Sequence, residues 1–257
     1  MTTLSTLAPV ASILLTVCLF VLVAINLHKT RRIHLATFKL LDDLAKTRKE
    51  TESLFAQFQA LMALERKLDM KEALPPLRGW VGSPDFLLVV ANHILSEKPQ
   101  AIMECSSGVS TLVTARCLQI NGSGHCYSLE HEPAYAAQTR KLLAKYQLSE
   151  WATVLDAPLT TQNTETPWYD ETAIPPQASS IELLIVDGPP SHVAPLARQP
   201  AYDRLSQRLA NNATIILDDA DRPDETKIVK RWQQDEPTLL ASKVNCEKGC
   251  VILNRQR

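Results

Sequence analysis

The chain has 257 residues, 45% hydrophobic and 21% charged, with a formal net charge of −1. That length holds one sizeable α/β domain plus an accessory segment. The near-neutral balance excludes the clustered basic face that a nucleic-acid partner needs. Six cysteines, at 18, 105, 117, 126, 246 and 250, form no CxxC pair, so a reduced, cytosol-facing domain is expected rather than a disulfide framework.

Residues 7–27 are apolar, interrupted only by the small or polar Ser12, Thr16 and Asn26. As a helix they extend about 31 Å, the thickness of a hydrocarbon core. A cleaved signal peptide normally carries a basic leader, whereas Met1–Thr6 has no charged side chain. Positive charge follows the span, at Lys29, Arg31 and Arg32. Residues 1–30 therefore read as a single-pass anchor, with the N-terminus outside and the remainder on the cytoplasmic side of the membrane.

From 31 to 73 the chain lacks Pro and Gly and is rich in Leu, Ala, Lys, Glu and Gln. Ile33, Leu40, Leu44, Leu54, Phe58, Leu61 and Leu68 alternate at four- and three-residue steps, with Thr37, Thr47, Thr51 and Glu65 in the remaining seam positions. Two readings stand side by side: a self-associating helix giving a homodimer through 31–72, and an amphipathic helix lying on the following domain. Phe55 and Met62 widen the apolar stripe of the second half, which suits the latter there. Leu74-Pro75-Pro76 ends the helix, and a globular domain over 74–257 follows.

Ser83-Pro84-Asp85 reads as a cap, a first-turn proline and a first-turn acid, opening a helix to about Ser96. Strands and helices then alternate: strand 101–105, helix 109–120, strand 125–130, helix 133–146, strand 152–156. Strand 181–186, helix 199–210, strand 213–218 and helix 223–234 come next, and 238–244 with 250–254 forms a closing hairpin around Glu247-Lys248-Gly249. Such alternation implies an α/β fold with a doubly wound, mostly parallel seven-stranded sheet. Residues 158–180, with Pro167, Pro175 and Pro176, are long for a connection inside a compact domain, as functional loops are.

Four strands end in acidic residues: Glu104, Glu130, Asp187, and Asp218 with Asp219. A parallel sheet presents its ligand crevice at those ends. The turn Glu104-Cys105-Ser106-Ser107-Gly108-Val109-Ser110-Thr111 is built of small residues opening a helix, which suits close approach of a ligand. It has one of the three glycines of a GxGxxG fingerprint, which disfavours a nicotinamide oxidoreductase. Glu130 lies 22 residues beyond Gly108, a spacing that fits a carboxylate accepting both hydroxyl hydrogens of a ribose.

On these motifs the stretch 80–254, about two thirds of the chain, resembles the class I S-adenosylmethionine-dependent methyltransferases. It is most similar to a bacterial O-methyltransferase-like group with E-x-G-S-G-x-S-T, V-D-G-P-P and L-D-D-A-x-R motifs. Here these read Glu104–Thr111, Val186–Pro190 and Leu217–Arg222. The resemblance implies that Glu104, Ser106, Ser107, Gly108, Ser110 and Thr111 hold the methionine end of S-adenosylmethionine. Glu130 would bind its ribose, and Asp156 and Ala157 would sit by the adenine. Ser106 replaces a glycine, a change a serine accommodates at negative φ. Read without the family, Glu104 could pair locally and Asp156 could be a turn former.

Metal-dependent O-methyltransferases, which the region also resembles, carry an Asp and then an Asp-Asn pair where Asp187, Asp218 and Asp219 stand. Three converging carboxylates repel unless protonated or bridged by a hard cation, and Mg²⁺, Mn²⁺ or Ca²⁺ would suit oxygen ligands. The competing reading pairs Asp219 with Arg222. Without a metal, Asp187 is the first candidate for general base or orienting group, next to the methyl donor, with Asp218 beside it and His192 the runner-up. Trp168 and Tyr169 either cover the site or anchor the long loop.

The expectation is an S-adenosylmethionine-dependent methyltransferase at the cytoplasmic membrane face, acting on a hydroxyl of a small-molecule, glycan or lipid-linked acceptor. The alternative is an inactive methyltransferase-like scaffold tethered to the membrane.

Overall fold

The structure, a computed structural model, describes residues 4–77, 81–162 and 165–255, and only the backbone at 4–11 and 49–50. Met1–Thr3, part of the expected anchor, lie outside the described residues. Two compact units divide at residue 54, Met1–Leu54 and Phe55–Arg257.

Helix α1 (Leu4–Leu68) runs without interruption through 65 residues, as expected of a sequence with neither Gly nor Pro between Val10 and Leu74. It is the one helix among the described residues long and apolar enough to cross a membrane, with a mean hydropathy of 2.0 in its most apolar window. Side chains from Ile13 to Leu27 point away from any protein partner. The polar residues in this stretch turn inward. Thr16 Oγ1 donates to the Ser12 carbonyl at 2.8 Å and Asn26 Nδ2 to the Leu22 carbonyl at 3.0 Å, which leaves few polar groups unmatched in an apolar surround.

The C-terminal end of α1 belongs to the second unit, where Leu64 and Leu68 are fully buried. The helix stops at Leu68, ahead of the Leu74-Pro75-Pro76 stop expected from sequence. Asp69 turns left-handed at φ 44, and Arg116 satisfies the released carbonyls, Nε donating to Leu68 at 2.7 Å and Nη2 to Asp69 at 2.8 Å.

The domain then alternates as the sequence suggests: α2 (Pro84–Glu97), β1 (Ala101–Cys105), α3 (Val109–Asn121), β2 (His125–Glu130), α4 (Pro133–Lys145) and β3 (Ala152–Asp156). Two short strands, β4 (Leu159–Thr160) and β5 (Trp168–Tyr169), pair antiparallel inside the long loop. There follow β6 (Ile181–Val186), α5 (Pro200–Leu205), β7 (Leu209–Asp218), α6 (Pro223–Asp235), β8 (Leu239–Val244) and β9 (Cys250–Arg255). The seven-stranded sheet has the order β3-β2-β1-β6-β7-β9-β8, with only β9 antiparallel to its neighbours.

One boundary differs from expectation. The helix expected over 199–210 ends at Leu205 and tightens into a 3-10 turn (Ser206–Arg208), and β7 begins at Leu209 rather than Ala213. Leu209 pairs with Ile181 across a register shift, so the exposed Asn211 and Asn212 form an irregularity inside a strand.

Alternation places the two cores. Ile102, Leu183, Ile185 and Ile216 face the side covered by α2, α3 and the end of α1. Met103, Cys105, Leu184, Val186, Ile215 and Leu217 face the opposite side, with Tyr202, Trp232 and the loop residues Trp168 and Tyr169. By the same period of two, Glu104, Glu130, Asp187 and Asp218 follow the first set. The sheet thereby brings four acids to one edge with one facing.

Candidate active site

The turn after β1 is organised by a buried carboxylate. Glu104, fully buried, accepts from Thr111 Oγ1 and from Ser128 Oγ, both at 2.6 Å. Thr111 in turn accepts from the Gly108 backbone N–H at 3.1 Å. Burial pushes the Glu104 carboxyl up, against the opposing pull of the Ser110, Ser128 and Thr111 hydroxyls. The local-pairing reading thus describes Oε2, while Oε1 has no partner within the protein. Gly108, at φ 148, faces open space where a side chain would be, room for a ligand against the turn.

Ser106 has φ 131. The negative φ under which serine fits easily is not what the chain adopts; it keeps the conformation of the glycine it replaces, at a cost on the order of 1–3 kcal/mol. Its Cβ lies against Gly188, where an added Cβ would meet Ser106 Cβ at 3.2 Å, Cys105 O at 3.1 Å and the Tyr169 hydroxyl at 2.5 Å.

Glu130 closes the other side of the turn. Oε2 accepts from Ser107 Oγ at 2.8 Å and Oε1 from the Glu132 backbone N–H at 3.0 Å, with His131 Nδ1 3.2 Å away. Burial works against its charge, but the donors at His131, Glu132 and Ser107 outweigh it, and the carboxyl sits below its ordinary range. It is therefore an ionised acceptor at neutral pH. Asp156 lies beside it in register, yet its carboxylate is 58% exposed and held by Arg140 at 2.7 Å. Ala157 is buried and donates its N–H to the Glu130 carbonyl at 2.8 Å.

Asp187, Asp218 and Asp219 do converge, with one oxygen from each within 4.8 Å of the others. Their counter-charge is a residue the sequence reading passed over, Arg198, only 3% exposed. Its Nη2 donates to Asp219 Oδ2 at 2.8 Å and to the Asp187 carbonyl at 3.0 Å, and lies 3.3 Å from Asp187 Oδ1. Nη1 donates to the Asp218 carbonyl at 2.9 Å. Arg222 Nη1 adds a second contact to Asp219 Oδ2 at 2.9 Å, the pairing weighed against a metal from sequence.

Burial raises Asp187 to about 6, against Arg198 and reinforced by Asp219. Burial, then Asp187 and Asp219, raise Asp218 further, to about 8. Both Asp218 oxygens lack a partner within the protein; a proton satisfies such a carboxyl. A dication would instead share Asp187 Oδ1 and Asp219 Oδ2 with a guanidinium already within 3.3 Å of both. The residues suit a buried arginine with a protonated Asp218 beside it better than Mg²⁺, Mn²⁺ or Ca²⁺.

Trp168 and Tyr169 are anchors, 1% and 2% exposed and packed edge to face at 5.0 Å. Tyr169 also reaches the edge, since its unpartnered hydroxyl occupies the space beside Gly188. His192 is exposed.

Residues 105–220 match a family model described as a methyltransferase domain. Among solved structures, the chain is similar to an S-adenosylhomocysteine-bound methyltransferase from Podospora anserina, 15% identical with a TM-score of 0.56, over 77% of this chain and 88% of that one. It is also similar to a methyltransferase from Geobacter sulfurreducens, 14% identical with a TM-score of 0.51, over 79% and 89%. An O-methyltransferase of tomaymycin synthesis from Streptomyces achromogenes, in complex with S-adenosylmethionine, is 15% identical with a TM-score of 0.51, over 78% and 90%. At these identities the likeness to solved structures is one of fold. No curated protein matches by sequence.

Proposed function

We propose that the chain is an S-adenosylmethionine-dependent methyltransferase, a reading supported by the family match over residues 105–220 and by the shared fold, and that it methylates a hydroxyl on a small-molecule, glycan or lipid-linked acceptor at the cytoplasmic face of a membrane. The observation that carries this reading is the single sheet edge, where Glu104 and Glu130 flank the open space at Gly108 and Asp187 stands one strand away. The orphaned Glu104 Oε1 and the ionised Glu130 fit the cofactor's ammonium and ribose hydroxyls.

Glu104, the 106–111 turn and Glu130 would hold S-adenosylmethionine, with Ala157 beside the adenine. When bound, the cofactor supplies a methyl group on a sulfonium, an electrophile that needs an aligned nucleophile more than it needs acid catalysis. Asp187, ionised above about pH 6, accepts the proton of the acceptor hydroxyl. Arg198 holds that carboxylate in place, and the Tyr169 hydroxyl, kept protonated by burial, offers a donor at the same edge.

The apolar helix supports a membrane anchor, and Lys29, Arg31 and Arg32 after it support the cytoplasmic orientation. Ile33, Leu40, Leu44 and Leu54 are 61–69% exposed, so the part of the heptad seam outside the domain supports association with a second copy. Sedimentation of a 31–58 peptide tests this, and a monomer at millimolar concentration refutes it.

A methyl-transfer screen with labelled donor against membrane extracts tests the activity. Transfer that disappears in Asp187→Asn supports the reading. Failure of the intact chain to bind S-adenosylmethionine in calorimetry sinks it. That failure is the result expected of the second reading, an inactive scaffold, which the serine at 106 and the single glycine of the turn favour.

A further inference from the structure

Arg198 stands between α5 and the turn after β6, outside every motif, yet it is almost wholly buried and its two terminal nitrogens make four hydrogen bonds. Its acceptors lie at the ends of two adjacent strands: the carbonyls of Asp187 and Asp218 and the carboxylates of Asp187 and Asp219. Nε lies 3.9 Å from Glu225 Oε1 on α6, and Arg222 stands 2.9 Å from the same Asp219 oxygen. Only a planar fork of five donors spans two strand ends and a helix at once. Lysine, with one point charge, would reach a subset.

We infer that Arg198 is the built-in cation of this edge, doing for three converging carboxylates what a divalent metal does at comparable acidic sites, so that methyl transfer here is metal-independent. The guanidinium neutralises Asp187 and Asp219, and through the Asp187 carbonyl and carboxylate it sets where the proton-accepting oxygen points. It is a positioning residue, acting through Asp187. A dication entering the same cluster would meet two guanidinium groups, Arg198 on Asp187 Oδ1 and Asp219 Oδ2 and Arg222 on Asp219 Oδ2, and would find only the Asp218 carboxylate and Asp219 Oδ1 unengaged. The assignment rests on the methyltransferase reading for its activity arm and on charge arrangement alone for its metal arm.

The test titrates the full-length protein in detergent with Mn²⁺, following the paramagnetic resonance of the free ion, for wild type, Asp218→Asn, Arg198→Lys and Arg198→Met. Labelled methyl incorporation into membrane extract is measured in parallel, with and without exhaustive chelation. Wild type is expected to take up no Mn²⁺ that Asp218→Asn abolishes, up to about 1 mM, and to keep its methyl transfer under chelation. Arg198→Met is expected to acquire an Mn²⁺ site that Asp218→Asn removes. Arg198→Lys is expected to lower methyl transfer 30-fold or more while S-adenosylmethionine binding stays within threefold, a split that general unfolding would not give.

The assignment is overturned if wild type binds Mn²⁺ in an Asp218-dependent way or if chelation abolishes transfer. Those two arms decide it even where Arg198→Met does not fold. A chain that neither binds S-adenosylmethionine nor takes up Mn²⁺ refutes the enzyme reading and leaves the internal cation standing.

Discussion

The Ser107 hydroxyl donates to Glu130 Oε2 over 2.8 Å, joining the turn after β1 to the end of β2 as one hydrogen-bonded unit. Ser107 also meets Thr139 of α4 at 3.1 Å, so three elements fix the carboxylate expected to receive the ribose. Removing the carboxylate deletes an acceptor of charge-assisted bonds. Glu130→Ala is expected to weaken S-adenosylmethionine binding tenfold or more, about 1.4 kcal/mol. Ser107→Ala, which loosens the carboxylate but leaves it present, weakens binding by less. Calorimetry on both variants gives the order; equal affinity of Glu130→Ala and wild type would remove Glu130 from the site.

Ser106 keeps a φ of 131 with its Cβ against Gly188, so the two positions are coupled. Ser106→Gly frees a strained backbone and is expected to raise stability by about 1 kcal/mol or more. Gly188→Ala pushes a methyl into the Tyr169 hydroxyl and Ser106 Cβ and destabilises. Combined with Ser106→Gly it costs less, because one of its three close neighbours is gone. Thermal melts of the two single variants and the double measure that coupling, and strict additivity would contradict it.

The strand ends were legible because each apolar run closes on an acid. Glu104, Glu130, Asp187 and Asp218 each follow a buried run, and β1, β2, β3 and β6 fall where those runs put them. Arg198 was not legible. Its partners are 11 to 27 residues away in sequence and include main-chain carbonyls, which leave no periodic trace. Ser106 is illegible for a related reason: its side chain suggests a relaxed turn, while the backbone between β1 and α3 takes a positive φ at both Ser106 and Gly108. The early start of β7 is not legible because Asn211 and Asn212 look like a loop, and only the pairing of Leu209 with Ile181 on β6 draws the strand back past them.

Asp187 and Asp218 carry opposite consequences for activity and stability as pH rises. Ionised Asp187 is the form that accepts a proton, so the methyl-transfer rate at limiting acceptor is expected to fall as pH drops through about 6. Stability runs the other way. Both folded-state values lie above the unfolded aspartate value near 3.9, so the native state holds more protons and stability from this pair is lost as pH rises from about 4 through about 8. Asp218→Asn removes one titrating member. Its destabilisation relative to wild type is expected to shrink between pH 6 and pH 9, read from denaturant midpoints; a constant difference would show that Asp218 titrates normally.

The end of α1 is part of the core of the second unit. Leu64 and Leu68 are fully buried against α2 and α3, Gln57 Nε2 donates to Asp85 Oδ2 at 2.6 Å, and Arg116 closes the helix through two carbonyls. Truncating a buried leucine to alanine costs about 2–5 kcal/mol, a large share of the 5–15 kcal/mol that holds a domain together. A soluble fragment beginning at residue 55 is therefore expected to melt cooperatively. One beginning at 73, where the prolines suggest a domain start, exposes the aliphatic face of α2 and is expected to aggregate or melt at least 10 °C lower. Within the longer fragment, Leu68→Ala lowers stability by about 2–5 kcal/mol, whereas Phe58→Ala, at an exposed position of the same helix, changes it by less than about 0.5 kcal/mol. Equal melting of the two fragments would mean that the helix end rests on the domain without contributing to its core.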